Sequence, residues 1–143
     1  MKKVLLVMLS IVIVVLGMLL NFKEFHMGTA VNSKNVVVTV CYAASWIYLI
    51  YAAGRQRSNV VLFSFLVIWW LTLFSSITSV YANATEAAVY WALPFIILFI
   101  GQWYGLLLLS DQFLHVSLII AIISLGFTIT ILQLLKSIKH IQH

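Results

Sequence analysis

Five long runs of uncharged, mostly apolar residues alternate with short polar connectors along the chain. They cover residues 4–20, 36–53, 60–82, 87–109 and 113–135. A helix needs about 20 residues to cross the hydrocarbon core of a bilayer, and each run is close to this length. Helices are expected because backbone groups in lipid must find their hydrogen-bond partners within the protein. We therefore predict an all-α fold, a single membrane domain over residues 1–143 built as a bundle of five transmembrane helices.

The first run also has an alternative interpretation as a secretory signal peptide. Lys2 and Lys3 precede it, as basic residues precede the apolar region of a signal. The nearest pair of small residues that could mark a cleavage site is Gly28 with Ala30, well beyond the apolar region. We therefore predict that the first run is a membrane span. If it is a cleaved signal, four spans remain.

The connectors contain residues typical of helix ends. Asn83, with Glu86 three residues later, resembles a capping box at the start of the fourth helix, and Ser110 with Asp111 can cap the fifth. The longest connector, 21–35, carries apolar residues and is expected to lie in the membrane interface.

Small and hydroxyl residues recur at helical spacing on three of the runs. Such patterns let neighbouring membrane helices approach closely, so we expect these faces to pack within the bundle, with a seam between two copies of the chain as the alternative. A second stripe on the fifth run, Gly126, Thr130 and Gln133, predicts partners on both sides of that helix. The principal packing residues are Thr72, Ser75, Ser76 and Ser79 in the third run, Gly101 and Gly105 in the fourth, and Ser117, Ala121, Ser124 and Thr128 in the fifth.

Three residues are candidates for a ligand site or a cavity. Pro94 lies inside the fourth run, where it removes an amide donor and should bend the helix. Trp69 lies near the middle of the third run, on the face of the hydroxyl stripe, and could form a platform for an apolar ligand. Gln102 is a polar side chain within the fourth run. Ordinary packing is the competing interpretation for Trp69, and a plain kink is the competing interpretation for Pro94.

Composition supports the membrane assignment, because a chain with 64% apolar and 8% charged residues would expose too much apolar surface in water. The net charge of +5 falls in connectors and tails, where it attracts anionic lipid headgroups. Connectors this short offer no surface for nucleic acid. The single cysteine, Cys41, excludes an internal disulfide. Asp111 and His115 lie one turn apart, but two ligands are too few for a metal, so we predict neither metal nor cofactor.

Basic residues do not fix the orientation, because they divide equally, four against four, between the two sides. Lys2, Lys3, Arg55 and Arg57 would lie on one side, and Lys23, Lys34, Lys136 and Lys139 on the other. We predict a cytoplasmic amino terminus because the first span often dominates and its leading end carries two lysines. The composition favours a bacterial cell membrane.

The function that the sequence favours is noncatalytic. A nucleophile with its base, a carboxylate pair and a metal set are missing from the sequence, and its ionisable residues lie in connectors, in the tails or near helix ends. We predict an accessory, regulatory or immunity-type component that binds lipid, another membrane protein or itself. The alternative is a small transporter or channel for an apolar or weakly polar solute.

Overall fold

The computed structural model describes residues 2–110 and 112–141 of the chain, and this part is helical throughout, apart from short connectors. Two 3-10 segments, Tyr90–Ala92 and Gly101–Leu108, flank α4 and form one apolar stretch with it. Within the described residues, five stretches are long and apolar enough to cross a membrane, which confirms the predicted all-α bundle. The helices are α1 (Lys2–Met27), α2 (Ser33–Arg55), α3 (Asn59–Thr85), α4 (Leu93–Ile100) and α5 (Phe113–Ile141).

Four helices are longer than their apolar runs, and the extensions of α1 and α3 change the predicted connectors. α1 continues through Met27 and stops at Gly28, whose φ of 61° is the left-handed conformation that often ends a helix. The expected long connector is therefore reduced to residues 28–32. The predicted capping box at Asn83 is wrong, because α3 continues to Thr85 and the Asn83 side chain donates to the Ser79 carbonyl at 2.7 Å.

The four long helices α1, α2, α3 and α5 run alternately up and down, and α3 and α5 form the most extensive pair. The Ser79 and Ser117 hydroxyls are hydrogen-bonded at 2.8 Å, and the Trp69 and Phe127 rings stack at 4.2 Å. The earlier residue on α3, Trp69, therefore contacts the later residue on α5, Phe127. This reversed order shows that the two helices are antiparallel. We call the end of the bundle that holds the start of α1 the lower end, and the end that holds its last turn the upper end.

The fourth apolar stretch, Tyr90–Leu108, lies across the upper half of the bundle. Trp91 contacts Phe74 of α3, and the 3-10 segment Gly101–Leu108 packs on the second half of α1 and the first half of α2. Its deepest contact, from the long side chain of Trp103, reaches the middle of the bundle at Trp69. This arrangement places the polar residues of the stretch against α1 and α2.

Candidate functional site

The 3-10 segment is held in place by side chains from α1 and α2. Asn21, fully buried on α1, donates from Nδ2 to the carbonyl oxygens of Gly101 at 3.2 Å and Gln102 at 3.3 Å. Thr39 on α2 donates from Oγ1 to the Gln102 carbonyl at 2.8 Å. Irregular backbone survives at membrane depth when protein groups take its hydrogen bonds, and these contacts meet that condition.

The same side chains bond to each other and to the aromatic core. Asn35 Nδ2 donates to Asn21 Oδ1 at 3.0 Å, and Gln102 Nε2 donates to the Tyr42 hydroxyl and to the Phe99 carbonyl, each at 3.0 Å. The set joins α1, α2 and the fourth stretch through buried hydrogen bonds. We call Asn21, Asn35, Thr39 and Gln102 the polar network.

Two glycines allow the close approach that the polar network requires. A Cβ atom on Gly105 would lie 2.5 Å from the Asn35 carbonyl oxygen and 2.7 Å from Thr39 Oγ1. The Gly105 amide donates to the same Thr39 hydroxyl at 3.1 Å. On α1, a Cβ on Gly17 would lie 2.9 Å from Cβ of Gln102. Gly105 was a predicted packing residue, whereas Gly17 was not.

Gly101 does not make the close contact expected of a paired glycine motif. The atoms nearest to a Cβ built on it are side-chain carbons of Met18 and Phe25 at 3.9 Å, an ordinary contact. A 3-10 helix has three residues per turn, so positions four apart do not share a face as they do in an α-helix. The predicted common face of Gly101 and Gly105 is therefore wrong.

An aromatic cluster fills the middle of the bundle beneath the polar network. Trp69 is 1% exposed, and its neighbours include Phe127, stacked on it at 4.2 Å, and Trp46, edge-on at 5.2 Å. Trp103 lies 5.2 Å from the Tyr42 ring. Aromatic neighbours therefore already occupy space around Trp69 where the sequence suggested a ligand platform. The cluster consists of Tyr42, Trp46, Phe65, Trp69, Trp103 and Phe127.

Several buried polar atoms in this region have no hydrogen-bond partner among the residues that the structure describes. Buried polar groups are usually paired, so each such atom is a candidate for contact with a polar ligand. Those in or beside the cluster are Gln102 Oε1, the indole nitrogens of Trp46, Trp69 and Trp103, and the hydroxyls of Ser124 and Thr128.

The polar network and the aromatic cluster form one continuous buried region, because Gln102 bonds Tyr42 and is followed by Trp103. No protein-family model, curated protein or solved structure matches this chain. The polar groups of the buried region are amides, hydroxyls and indole nitrogens. Its donors and acceptors are neutral, which suits packing or binding of a neutral group.

The small residues predicted to pack on α3 and α5 are buried or half-buried in the bundle. Each hydroxyl on the α3 stripe is buried, and three of the four donate back to a carbonyl of their own helix. Ser79 instead bonds Ser117 across the interface at 2.8 Å. On α5, Ser124 and Thr128 are buried and Ala121 is half-buried. The residues that donate back within α3 are Thr72, Ser75 and Ser76.

Two predicted features face away from the bundle. Pro94 is exposed and lies in the first turn of α4, where a proline displaces no helical hydrogen bond, so the predicted bend within a helix at Pro94 is wrong. The second stripe of α5, Gly126, Thr130 and Gln133, is also exposed. α5 therefore packs through one small face within this chain.

An open groove lies between α2 and α5 on the outer surface of the bundle. Its volume is about 600 Å³. It ends at Arg55 and Arg57, which are exposed at the lower end, and the Arg55 guanidinium lies 5.9 Å from the centre of the Tyr51 ring. The rest of the lining is mainly apolar, and it consists of Ile47, Ile50, Tyr51, Gly54, Phe127, Thr130 and Leu134.

His115 lies near a serine at the start of α5. Its Nδ1 is 3.0 Å from Ser110 Oγ. Asp111, the proposed partner of His115 and helix cap, lies outside the described residues. In the described part of the chain, no three His, Cys, Asp or Glu side chains come together as a metal site.

Proposed function

We propose that the protein is a noncatalytic, multi-pass membrane protein that acts by binding, and that its ligand is an anionic phospholipid held in the groove between α2 and α5. One observation carries this proposal: an apolar groove on the lipid-facing surface ends at two exposed arginines. An acyl chain would lie along the apolar wall, and the headgroup phosphate would meet Arg55 and Arg57. Such binding fits an accessory or regulatory component.

The dimensions and the charge of the groove support this ligand. Small-molecule sites typically enclose about 300 to 1,000 Å³, and the groove, at about 600 Å³, falls in that range. Its walls come from apolar side chains such as Ile47, Ile50 and Leu134, which suit a hydrocarbon chain. Basic pockets between membrane helices are typical sites for anionic headgroups, and arginine binds phosphate through two parallel hydrogen bonds.

The double variant Arg55→Gln/Arg57→Gln is expected to lose its preference for anionic lipid. Each basic residue near a headgroup contributes about 1 kcal/mol, so phosphatidylglycerol should bind about thirtyfold more weakly. Binding of phosphatidylcholine with the same acyl chains should change little. Native mass spectrometry of the purified protein, titrated with each lipid in detergent, measures both affinities.

The matched control is Lys136→Gln/Lys139→Gln, which removes the same charge near the end of α5 but outside the groove. We expect phosphatidylglycerol binding of this control to stay within about twofold of the unsubstituted protein. Equal losses in the two double variants would mean that the lipid responds to overall charge, and they would contradict a site in the groove.

A small transporter or channel is the second candidate function. The observation that favours it is the set of unpaired buried polar atoms around Gln102 and the aromatic cluster. A pathway for a polar solute would have to pass these atoms or the hydroxyl stripe of α3. That stripe is buried, and its Ser79 hydroxyl bonds Ser117 of α5, which supports a closed interface instead.

Cysteines at the hydroxyl stripe separate the two functions. In a Cys41→Ala background, we expect Ser75→Cys and Ser79→Cys to resist a water-soluble maleimide, because both positions are buried within the bundle. Thr29→Cys, in the exposed connector after α1, is the labelled control. Rapid labelling of Ser75→Cys and Ser79→Cys in the folded protein would favour a water-filled pathway over the binding function.

A further inference from the structure

We propose that the fourth apolar stretch is re-entrant: it enters the membrane from the upper face and returns to the same face, so that the chain crosses four times. The antiparallel packing of α3 and α5 carries this inference. α3 reaches its upper end at Thr85, and α5 starts at Phe113, whose ring lies 5.8 Å from Phe25 in the last turns of α1. If the fourth stretch crossed the membrane once, α3 and α5 would instead run in the same direction.

The contacts along the stretch agree with a return to the upper face. Near its beginning, Leu93 and Ile96 share a recess with Ser79 and Asn83 of α3. Near its end, Leu108 shares another recess with the connector between α1 and α2. Both recesses lie in the upper part of the bundle, so the stretch begins and ends there.

The polar network makes such a path physically acceptable. Re-entrant backbone is tolerated in membranes where protein, rather than lipid, surrounds its irregular part. Residues 101–105 are buried, and the carbonyl oxygens of Gly101 and Gln102 accept hydrogen bonds from α1 and α2. Tyr104 extends this anchoring by donating its hydroxyl to the Thr29 carbonyl in the upper connector.

The re-entrant path also breaks the tie in the distribution of basic residues. The ends of α5 and α2 meet at the lower end, where a Cβ on Gly54 would lie 3.5 Å from the methyl carbons of Leu134. The two lysines near the end of α5 therefore join the four basic residues already at that end. Lys2, Lys3, Arg55, Arg57, Lys136 and Lys139 then lie at the lower end, against Lys23 and Lys34 at the upper end.

The lower face is therefore cytoplasmic under the rule that short cytoplasmic loops are enriched in lysine and arginine. The start of α1 and the end of α5 both lie on that side, whereas five crossings would place them on opposite sides. The inference does not depend on lipid binding in the groove.

Cysteine labelling in intact cells tests this topology. In the Cys41→Ala background, Gln112→Cys lies in the connector before α5 and Ser137→Cys lies near the lower end of α5; both positions are exposed. We expect a membrane-impermeant maleimide to label Gln112→Cys from outside, and to label Ser137→Cys only after the membrane is permeabilised. Thr29→Cys and Gln56→Cys are controls that do not distinguish four crossings from five. If the amino terminus is cytoplasmic, Thr29→Cys should be labelled from outside, and Gln56→Cys only after permeabilisation.

The reverse pattern at the two test positions, Ser137→Cys labelled from outside and Gln112→Cys protected, would overturn the re-entrant path. External labelling of both Gln56→Cys and Ser137→Cys would overturn the cytoplasmic assignment of the lower face. Protease accessibility of tags on the two ends of the otherwise unsubstituted chain gives a second readout. Tags found on opposite sides of the membrane would also contradict the proposal.

Discussion

Gly105→Ala is expected to destabilise the bundle by about 2 to 3 kcal/mol, in the upper range for an overfilled protein interior. The added Cβ would lie 2.5 Å from the Asn35 carbonyl oxygen, and a backbone atom cannot move aside as the tip of a side chain can. Separating the segments would also weaken the hydrogen bond from the Gly105 amide to Thr39, 3.1 Å long in the structure. Thermal unfolding in a mild detergent, followed by circular dichroism, measures the effect.

Gly126→Ala is the matched control for this variant. Gly126 is exposed on α5, and among the described residues nothing lies within 4 Å of a Cβ built there. Alanine has a higher helix propensity than glycine, so we expect unchanged or slightly raised stability, by up to about 1 kcal/mol. Similar unfolding temperatures for Gly105→Ala and Gly126→Ala would show that α2 and the 3-10 segment are not in close contact.

Asn21→Leu is expected to cost about 2 kcal/mol or more, because it leaves buried hydrogen-bonding groups without their partner. The Gly101 carbonyl would lose the Asn21 donor, and the Asn35 side chain would lose its acceptor. Leucine has the same number of side-chain heavy atoms and the same branching as asparagine, but its methyl groups are bulkier, so overfilling of this buried site adds to the loss of the hydrogen bonds. The same detergent unfolding experiment applies.

Two comparisons make the Asn21 result specific to the polar network. Asn59→Leu, at an exposed position in the first turn of α3, should change stability by less than about 0.5 kcal/mol. Adding Asn35→Leu to Asn21→Leu should cost less than Asn35→Leu costs alone, because the two side chains bond each other at 3.0 Å. Strictly additive losses would mean that the two asparagines act independently.

Apolar length was sufficient to predict the helices, because each segment must supply about 20 residues of hydrocarbon-compatible surface. The same quantity cannot reveal whether a segment crosses or returns. In the structure, Tyr90–Leu108 is as apolar as a span, yet its neighbours place both of its ends in the upper part of the bundle. The neighbours at the end of the stretch lie in the connector between α1 and α2, which is distant in sequence, so no local pattern encodes the return.

The candidate site was predicted in part. Gln102 and Trp69 were identified as unusual side chains within apolar runs, and both are buried in the connected polar and aromatic region. Asn21 and Asn35 were missed because they were assigned to a connector, where asparagine is common. The sequence did hold a signal for the longer helix: Lys23 and Glu24 follow the apolar run, and lysine and glutamate are good helix formers. That extension is what brings Asn21 into contact with the fourth stretch.

The groove could not be predicted, because it depends on the spacing between α2 and α5 rather than on either helix alone. Sequence periodicity identified small residues on both faces of α5 but could not show which face meets α3. The structure buries the face with Ser124 and Thr128 and leaves the face with Thr130 exposed, where that residue lines the groove.

The hydrogen bonds of Asn21 and Thr39 also bear on how the chain assembles during translation. These two residues emerge from the ribosome well before Gly101–Leu108, whose carbonyls they bind. Synthesis from the amino terminus therefore inserts the donors first, so the most irregular part of the backbone arrives after its binding partners are in the membrane. Translation order would then spare the nascent chain a period in which unsatisfied peptide groups face lipid.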